Sequence, residues 1–226
     1  MFTNLNTDPG GKLGLFGELR TLSHGRVSSG ELKYRAGTEI FGDTEPADYI
    51  YQVTKGAVRS YKLLVDGRRQ IGAFHLAGDI FGLENGDHHR FTAEAIIDTR
   101  VRLIWRESLE RVAETDSAVV RRLLKMTAEN LAHAEDHMLL LGRKTSLERV
   151  AAFLLEMHRR LTSEGAIALP MNRRDIADYL GITLETVSRA LTVLRKNGLL
   201  KFLGQTQREI MVVDPAGLAR LTDSPG

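Results

Sequence analysis

The sequence predicts an α+β protein made of an N-terminal β-roll, a long dimerisation helix and a C-terminal winged helix-turn-helix, and three observations predict it. Short apolar alternations broken by glycine run from about Gly30 to Trp105, a heptad seam follows from Ser117 to Leu141, and two short amphipathic helices meet at Gly181. With 226 residues, 42% hydrophobic and 27% charged, the chain can build one sizeable core and a second, smaller one. It divides into an N-terminal arm (1–29), the roll (30–106), helices including the dimerisation helix (107–141), a hinge (142–145), the winged domain (146–214) and a C-terminal tail (215–226).

In the roll, glycines at 37, 42, 56, 67, 72, 78, 82 and 86 punctuate short strands, the pattern of a β-roll or jelly roll. Asp66-Gly67, flanked by apolar runs, reads as a tight hairpin turn because glycine tolerates positive φ there. Further strands are expected over Glu31–Arg35, Tyr49–Thr54 and Phe91–Trp105 with a break near Asp98, and Lys55-Gly56 marks another turn.

After Trp105 the period lengthens. Ser117, Val120, Leu124, Thr127, Leu131, Ala134, Met138 and Leu141 recur at alternating steps of three and four, the seam of a coiled coil. Such a helix can pack on its own roll or pair with the same helix of a second copy. A second stripe at Leu123, Met126 and Leu140 suggests both, with a parallel homodimer preferred. Gly142 then ends the run, Arg143 and Lys144 follow as a hinge, and a third helix spans Ser146 to about Leu161.

From Asn172 to Leu200, Ile176, Ala177 and Leu180 give one short helix an apolar face, and Val187, Leu191 and Leu194 give a second helix the face that meets it. Gly181 supplies the positive φ of the turn and Thr183 caps the second helix. Glu185, Thr186, Ser188 and Arg189 remain outside on its first turns, where a recognition helix meets base edges. Glu185, Ser188 and Arg189 share one helical face: Arg189 can fork onto guanine, Glu185 can accept from the cytosine amine, and Ser188 can bond either partner or touch a thymine methyl. The bland alternative is an ordinary helical hairpin with a solvated polar face. A two-stranded wing turning near Gly204 follows, where Lys201 and Arg208 lie along phosphates or are plain solvated charges. Residues 142–213 hold 12 Lys and Arg against 7 Asp and Glu, so the positive end of the chain is the end that carries these helices. Paired copies would read a near-palindrome with half-sites about one helical turn apart.

The chain has no cysteine, which excludes disulfides, thiolate-held iron-sulfur clusters, Cys-based zinc sites and thiol redox sensing. No apolar run approaches the ~18 residues of a membrane span and the start lacks a signal-peptide core, so a cytoplasmic protein with no membrane partner is expected. No Ser-His-Asp order, paired-carboxylate cleft or phosphate-cradling loop stands out, so no enzyme is expected. His133 and His137, at i and i+4 beside the seam, read as solvated, and His88-His89 as a loop pair; no metal site and no cofactor is expected.

In this order of parts the chain resembles the Crp/Fnr superfamily of bacterial transcription regulators. The residues that carry the resemblance are Gly78-Asp79-Ile80-Phe81-Gly82, Gly142-Arg143-Lys144-Thr145, Glu148-Arg149-Val150-Ala151, and the run from Asn172 to Gly181 leading into Glu185-Thr186-Val187-Ser188-Arg189. The last stretch is most similar to the FixK branch, whose members activate genes for low-oxygen respiration and, in rhizobia, nitrogen fixation. The resemblance implies that Glu185, Ser188 and Arg189 read half-sites of a TTGAT-N4-ATCAA palindrome, with Asn172, Arg174, Thr183 and Thr186 as phosphate contacts and RNA polymerase as a partner. The cyclic-AMP-responsive branch has an additional Arg where this chain has Leu184, which makes a TGTGA-type half-site a poorer fit.

The resemblance also makes the roll a cyclic-nucleotide-binding-like domain, in which nucleotide binders carry a Gly-Glu-Leu turn and an Arg-Ser pair. Here Leu83 separates Gly82 from Glu84, and Phe91-Thr92 follows Arg90, so Gly82, Glu84 and Arg90 read as a vestigial cassette, with Glu84 and Arg90 structural or in a surface salt bridge. His75 could serve as an axial haem ligand, but a half-buried strand histidine is more often a satisfied part of a core. Three function classes stay open: a homodimeric, sequence-specific activator without an obligatory effector; an effector-gated regulator of the same fold; and a β-roll interaction protein whose winged domain binds no DNA.

Overall fold

The computed structural model describes residues 29–84, 86–161, 166–204 and 208–223. The expected N-terminal arm lies outside the described residues up to position 28, as does the end of the expected tail after 223. Eight strands come first: β1 (Ser29–Tyr34), β2 (Glu39–Phe41), β3 (Tyr49–Lys55), β4 (Ala57–Leu63), β5 (Arg69–Leu76), β6 (Ile80–Phe81), β7 (Thr92–Ala95) and β8 (Thr99–Trp105). They form two antiparallel four-stranded sheets, ordered β1-β8-β3-β6 and β2-β7-β4-β5. Phe41, Tyr51, Val53, Val58, Phe81, Ala93 and Val101, drawn from both sheets, make one core cluster. The Asp66-Gly67 turn joins β4 to β5, with the Gly67 N–H donating to the Leu64 carbonyl and the Leu64 N–H to the Arg68 carbonyl. Strands β2 and β6 are too short to show an alternation and had no sequence signal of their own.

Helix α1 (Arg106–Ala113) follows, then α2 (Ser117–Arg143). Val119 and Met126 of α2 are buried with Ile50, Ile80, Ile104, Leu109 and Val112, and Leu123 packs against them. That flank of α2 meets the roll, whereas Val120, Leu124, Leu131 and Met138 are 45%, 68%, 59% and 65% exposed. Thr127 and Ala134 of the same seam are also exposed, and Leu141 is half-buried. The chain divides into two compact units within α2, between Ala132 and His133. The helix does not end at Gly142 as expected but continues to Arg143.

The second unit adds α3 (Ser146–Leu161), β9 (Ala166–Ala168), α4 (Arg173–Leu180), α5 (Leu184–Lys196), β10 (Leu200–Leu203), β11 (Glu209–Val212) and α6 (Pro215–Asp223). Helix α3 buries Val150, Ala151, Phe153, Leu154 and Met157. The wing is three-stranded, ordered β10-β11-β9. The segment read as a tail from residue 215 instead begins with α6, which packs on α3 and buries Leu218 completely. The signal lay in Asp214-Pro215: the Asp214 carboxylate accepts the Gly217 N–H at 2.8 Å, and proline suits the first helical position because it lacks an N–H to satisfy.

Candidate nucleic-acid interface

Asn172 starts α4 with a reciprocal cap: its side-chain oxygen accepts the Asp175 N–H at 2.9 Å, and its own N–H donates to the buried Asp175 carboxylate at 3.2 Å. Ile176, Ala177 and Leu180 of α4 are buried, as are Val187, Leu191 and Leu194 of α5. The two apolar faces thus leave solvent together, and α4 and α5 pack in contact. Gly181 ends α4 at φ 62°, a left-handed conformation that a side chain would strain. Thr183 then opens α5, its hydroxyl oxygen accepting the Thr186 N–H at 3.2 Å. Each piece of turn chemistry inferred from the sequence is in place.

Glu185 and Arg189 project exposed from α5, with Ser188 half-buried between them in sequence. The N–H of Glu185 itself, and next the Thr183 hydroxyl, hold the Glu185 carboxyl below the usual carboxylate range. It is therefore an ionised acceptor at neutral pH, the state needed to accept from a cytosine amine. Asn172, Arg174 and Thr183 are exposed and Thr186 is half-buried. Asn172 already uses its side-chain oxygen in the cap. Lys201 on β10 and Arg208 before β11 are both exposed. The residues between Gly204 and Arg208 lie outside the described residues.

Three residues had no individual signal in the sequence: Arg173, Arg195 and Phe202. Arg173, the first residue of α4, donates from Nη1 to the Ser188 hydroxyl at 3.2 Å. Its guanidinium also lies 5.8 Å from the centre of the Phe202 ring on β10, as does that of Arg195 from the last turn of α5. The start of α4, the helix α5 and strand β10 therefore share a cationic and aromatic junction. Sequence spacing could not join positions 173, 188 and 202, although the basic pair Arg173-Arg174 at a helix start was visible.

In the roll, Gly82 adopts φ 78° with the Tyr51 ring against it, so that a Cβ would fall 2.8 Å from a ring carbon. Glu84 does not pair with Arg90. Its carboxylate faces Nδ1 of His89 at 3.4 Å, and its carbonyl accepts from Arg106 at 3.0 Å. The Arg90 side chain is exposed. His88 and His89 are not brought together: His88 is exposed, while His89 is buried and stacks on Phe41 at 3.5 Å between ring centres. His75 is buried too, with Nε2 2.8 Å from the Ser60 hydroxyl and its ring stacked on Phe81.

His133 and His137 correct the sequence reading, which left them in solvent. His133 is buried, and His137 is half-buried and stacked on Tyr179 at 4.2 Å. Both line a cavity of about 270 Å³ with Leu140, Phe153, Glu156 and Tyr179 among its walls. A position beside a heptad seam looks solvated only while the helices that cover it are unknown. Among the described residues no group of three or more His, Asp or Glu is arranged to hold a metal ion, and no helix is long and apolar enough to cross a membrane.

Known proteins match this architecture in both parts. A family model of the Crp-like helix-turn-helix domain matches residues 148–221, and one of the cyclic nucleotide-binding domain matches residues 31–116. The nitrogen fixation regulation protein FixK of Rhizobium meliloti is 41% identical over 188 residues, which cover 83% of this chain and 85% of the relative. The transcriptional activatory protein AadR of Rhodopseudomonas palustris is 38% identical over 209 residues, covering 90% and 86%. The structure of FixK2 from Bradyrhizobium japonicum superposes with a TM-score of 0.84 at 61% identity, covering 88% of this chain and all of that one.

Proposed function

Because this chain belongs to the Crp/Fnr superfamily of bacterial transcription regulators, most similar to its FixK branch, we propose that it works as a homodimeric, sequence-specific activator that needs no small-molecule effector. The observation that carries this reading is the presentation of Glu185, Ser188 and Arg189 on the outer face of a capped helix held by α4. Three different hydrogen-bonding groups on one helical face suit a short run of base pairs in the major groove. The exposed apolar seam of α2 supports the dimer, since Leu124, Leu131 and Met138 are too large and too aligned for a surface meant to stay in water. Two copies would place two recognition helices on a palindrome of the TTGAT-N4-ATCAA kind, at genes of low-oxygen or nitrogen-fixation metabolism. Asn172, Arg174, Thr183, Thr186 and Lys201 would lie along phosphates, and RNA polymerase in the cytoplasm would be the further partner. A regulator of this kind acts by binding and not as an enzyme.

An effector-gated reading has one observation in its favour, the match of residues 31–116 to the cyclic nucleotide-binding domain. Against it, Glu84 is engaged by His89 and Arg106, and the Arg90 side chain points to solvent, so the residues left from the cassette do not converge. Titration of the ligand-free protein onto a TTGAT-N4-ATCAA duplex and a scrambled duplex separates the readings. Preference for the palindrome without added ligand is expected. Equal affinity for both duplexes rejects the proposal, and a preference that emerges only with cyclic nucleotide transfers it to the gated form.

A further inference from the structure

Arg149, in the first turn of α3, donates to three main-chain carbonyls at once: from Nε to Lys144 at 2.9 Å, from Nη2 to Leu141 at 2.8 Å and from Nη1 to Leu180 at 3.0 Å. Leu141 lies in the last turn of α2, Lys144 directly follows that helix, and Leu180 is the last residue of α4. Carbonyls at helix C-termini have no partner within the helix and carry partial negative charge, so one cation satisfies the ends of both. The guanidinium fork is planar and rigid, and engaging it in three directions fixes the three carbonyls relative to one another. The surroundings are arranged alike. Thr145 and Glu148 cap α3 reciprocally, the Thr145 N–H donating to the Glu148 carboxylate at 2.7 Å, and the Lys144 ammonium donates to the Thr222 carbonyl. The segment that the sequence marks as a hinge is thus held on several sides by side chains.

We propose that Arg149 is the positioning residue that sets the recognition helix at a defined angle to the end of the dimerisation helix, and thereby fixes the half-site spacing the protein accepts. This rests on the dimeric DNA-binding reading above. Base reading is local to α5, but the separation of two recognition helices depends on the α2–α4 junction once in each subunit, so angular looseness there is felt twice. Spacing discrimination and base discrimination therefore come apart at this residue. A lysine in its place keeps a cation near the helix ends but cannot reach three fixed carbonyls with a planar fork.

The test compares the full-length protein with Arg149→Ala and Arg149→Lys on palindromes whose spacer is one base pair shorter, unchanged or one longer, and on the same duplexes with the half-site guanine replaced. Loss of spacer preference by roughly tenfold, with guanine discrimination altered less than about twofold, is expected from removing two or three hydrogen bonds at the junction and none at the base. A folded variant that keeps the spacer preference of the unaltered protein overturns the inference, as does a parallel loss of spacer and base discrimination. Should Arg149→Ala fail to fold, Arg149→Lys decides the matter with a second readout. The chain has no cysteine, so spin labels at Glu135→Cys and Lys196→Cys, in labelled protein diluted with an excess of unlabelled protein so that each dimer holds one labelled chain, report the junction. The distance distribution should broaden in Arg149→Lys, and an unchanged one overturns the inference. If the unaltered protein fails to distinguish palindrome from scrambled DNA, the functional reading falls first; if it distinguishes them and the variants keep its spacing, only the role of Arg149 falls.

Discussion

The guanidinium of Arg173 donates to the hydroxyl of Ser188 at 3.2 Å, so the first residue of α4 holds a side chain on the face of α5 proposed to read bases. With one lone pair of Ser188 occupied by that bond, its own O–H stays available as a donor. Arg173→Ala frees the hydroxyl to rotate and removes a charge-assisted bond, at a cost of about 0.5 to 1.5 kcal/mol per half-site. The loss should concentrate at the base pair that Ser188→Ala also affects. Competition binding with single-base variants of the half-site checks this, and a loss spread evenly over all positions would make Arg173 a phosphate contact instead.

Arg189→Ala should weaken binding by about 1 to 3 kcal/mol per half-site and flatten discrimination at one guanine, because Arg189 stands exposed with its fork available to O6 and N7. Arg174→Ala should act differently, lowering affinity on every sequence and reducing the slope of log K against log salt by about one unit. An unchanged slope removes Arg174 from the phosphate contacts.

Leu131 is 59% exposed in the single chain, in the middle of the α2 seam. Leu131→Asp places a charge where two apolar seams would meet, and it should convert dimers to monomers in sedimentation. A dimer that survives the substitution would place the interface elsewhere.

What could be read in the sequence and what could not differ in kind. The Gly181 turn, the Thr183 cap, the Asp66-Gly67 hairpin and the burial of Val187, Leu191 and Leu194 are local or periodic facts, carried by neighbours within about two helical turns or one hairpin. The bonds of Arg149 to Leu180 and of Arg173 to Ser188 span 31 and 15 residues and depend on how helices pack, which no spacing encodes. Helix α6 was missed although its cap and its proline stood in the sequence, because a segment of nine residues with one buried leucine shows little amphipathic period. His133 and His137 were misplaced for the opposite reason: their spacing was clear, but the face it pointed to is covered by residues of α3 and α4 in the same unit.

That covered face makes stability depend on pH in a direction the burial determines. Burial pushes the His133 imidazole from its ordinary 6.5 down to about 3 and lowers that of His137 as well, against a hydrogen bond from His137 to the Tyr179 backbone. The nearby charges of Asp136, Glu156 and Arg159 line the same cavity. Between the depressed folded value and 6.5 the unfolded chain binds more protons than the folded one, so the contribution of His133 is complete above 6.5 and is lost as the pH falls through that window. The melting temperature should therefore drop between about pH 7 and pH 5, and His133→Leu, which removes the proton acceptor while keeping apolar bulk, should flatten the drop. Identical pH profiles for the two proteins would show that His133 is open to protonation in the folded state and that the residues of α3 and α4 lining its cavity do not shield it.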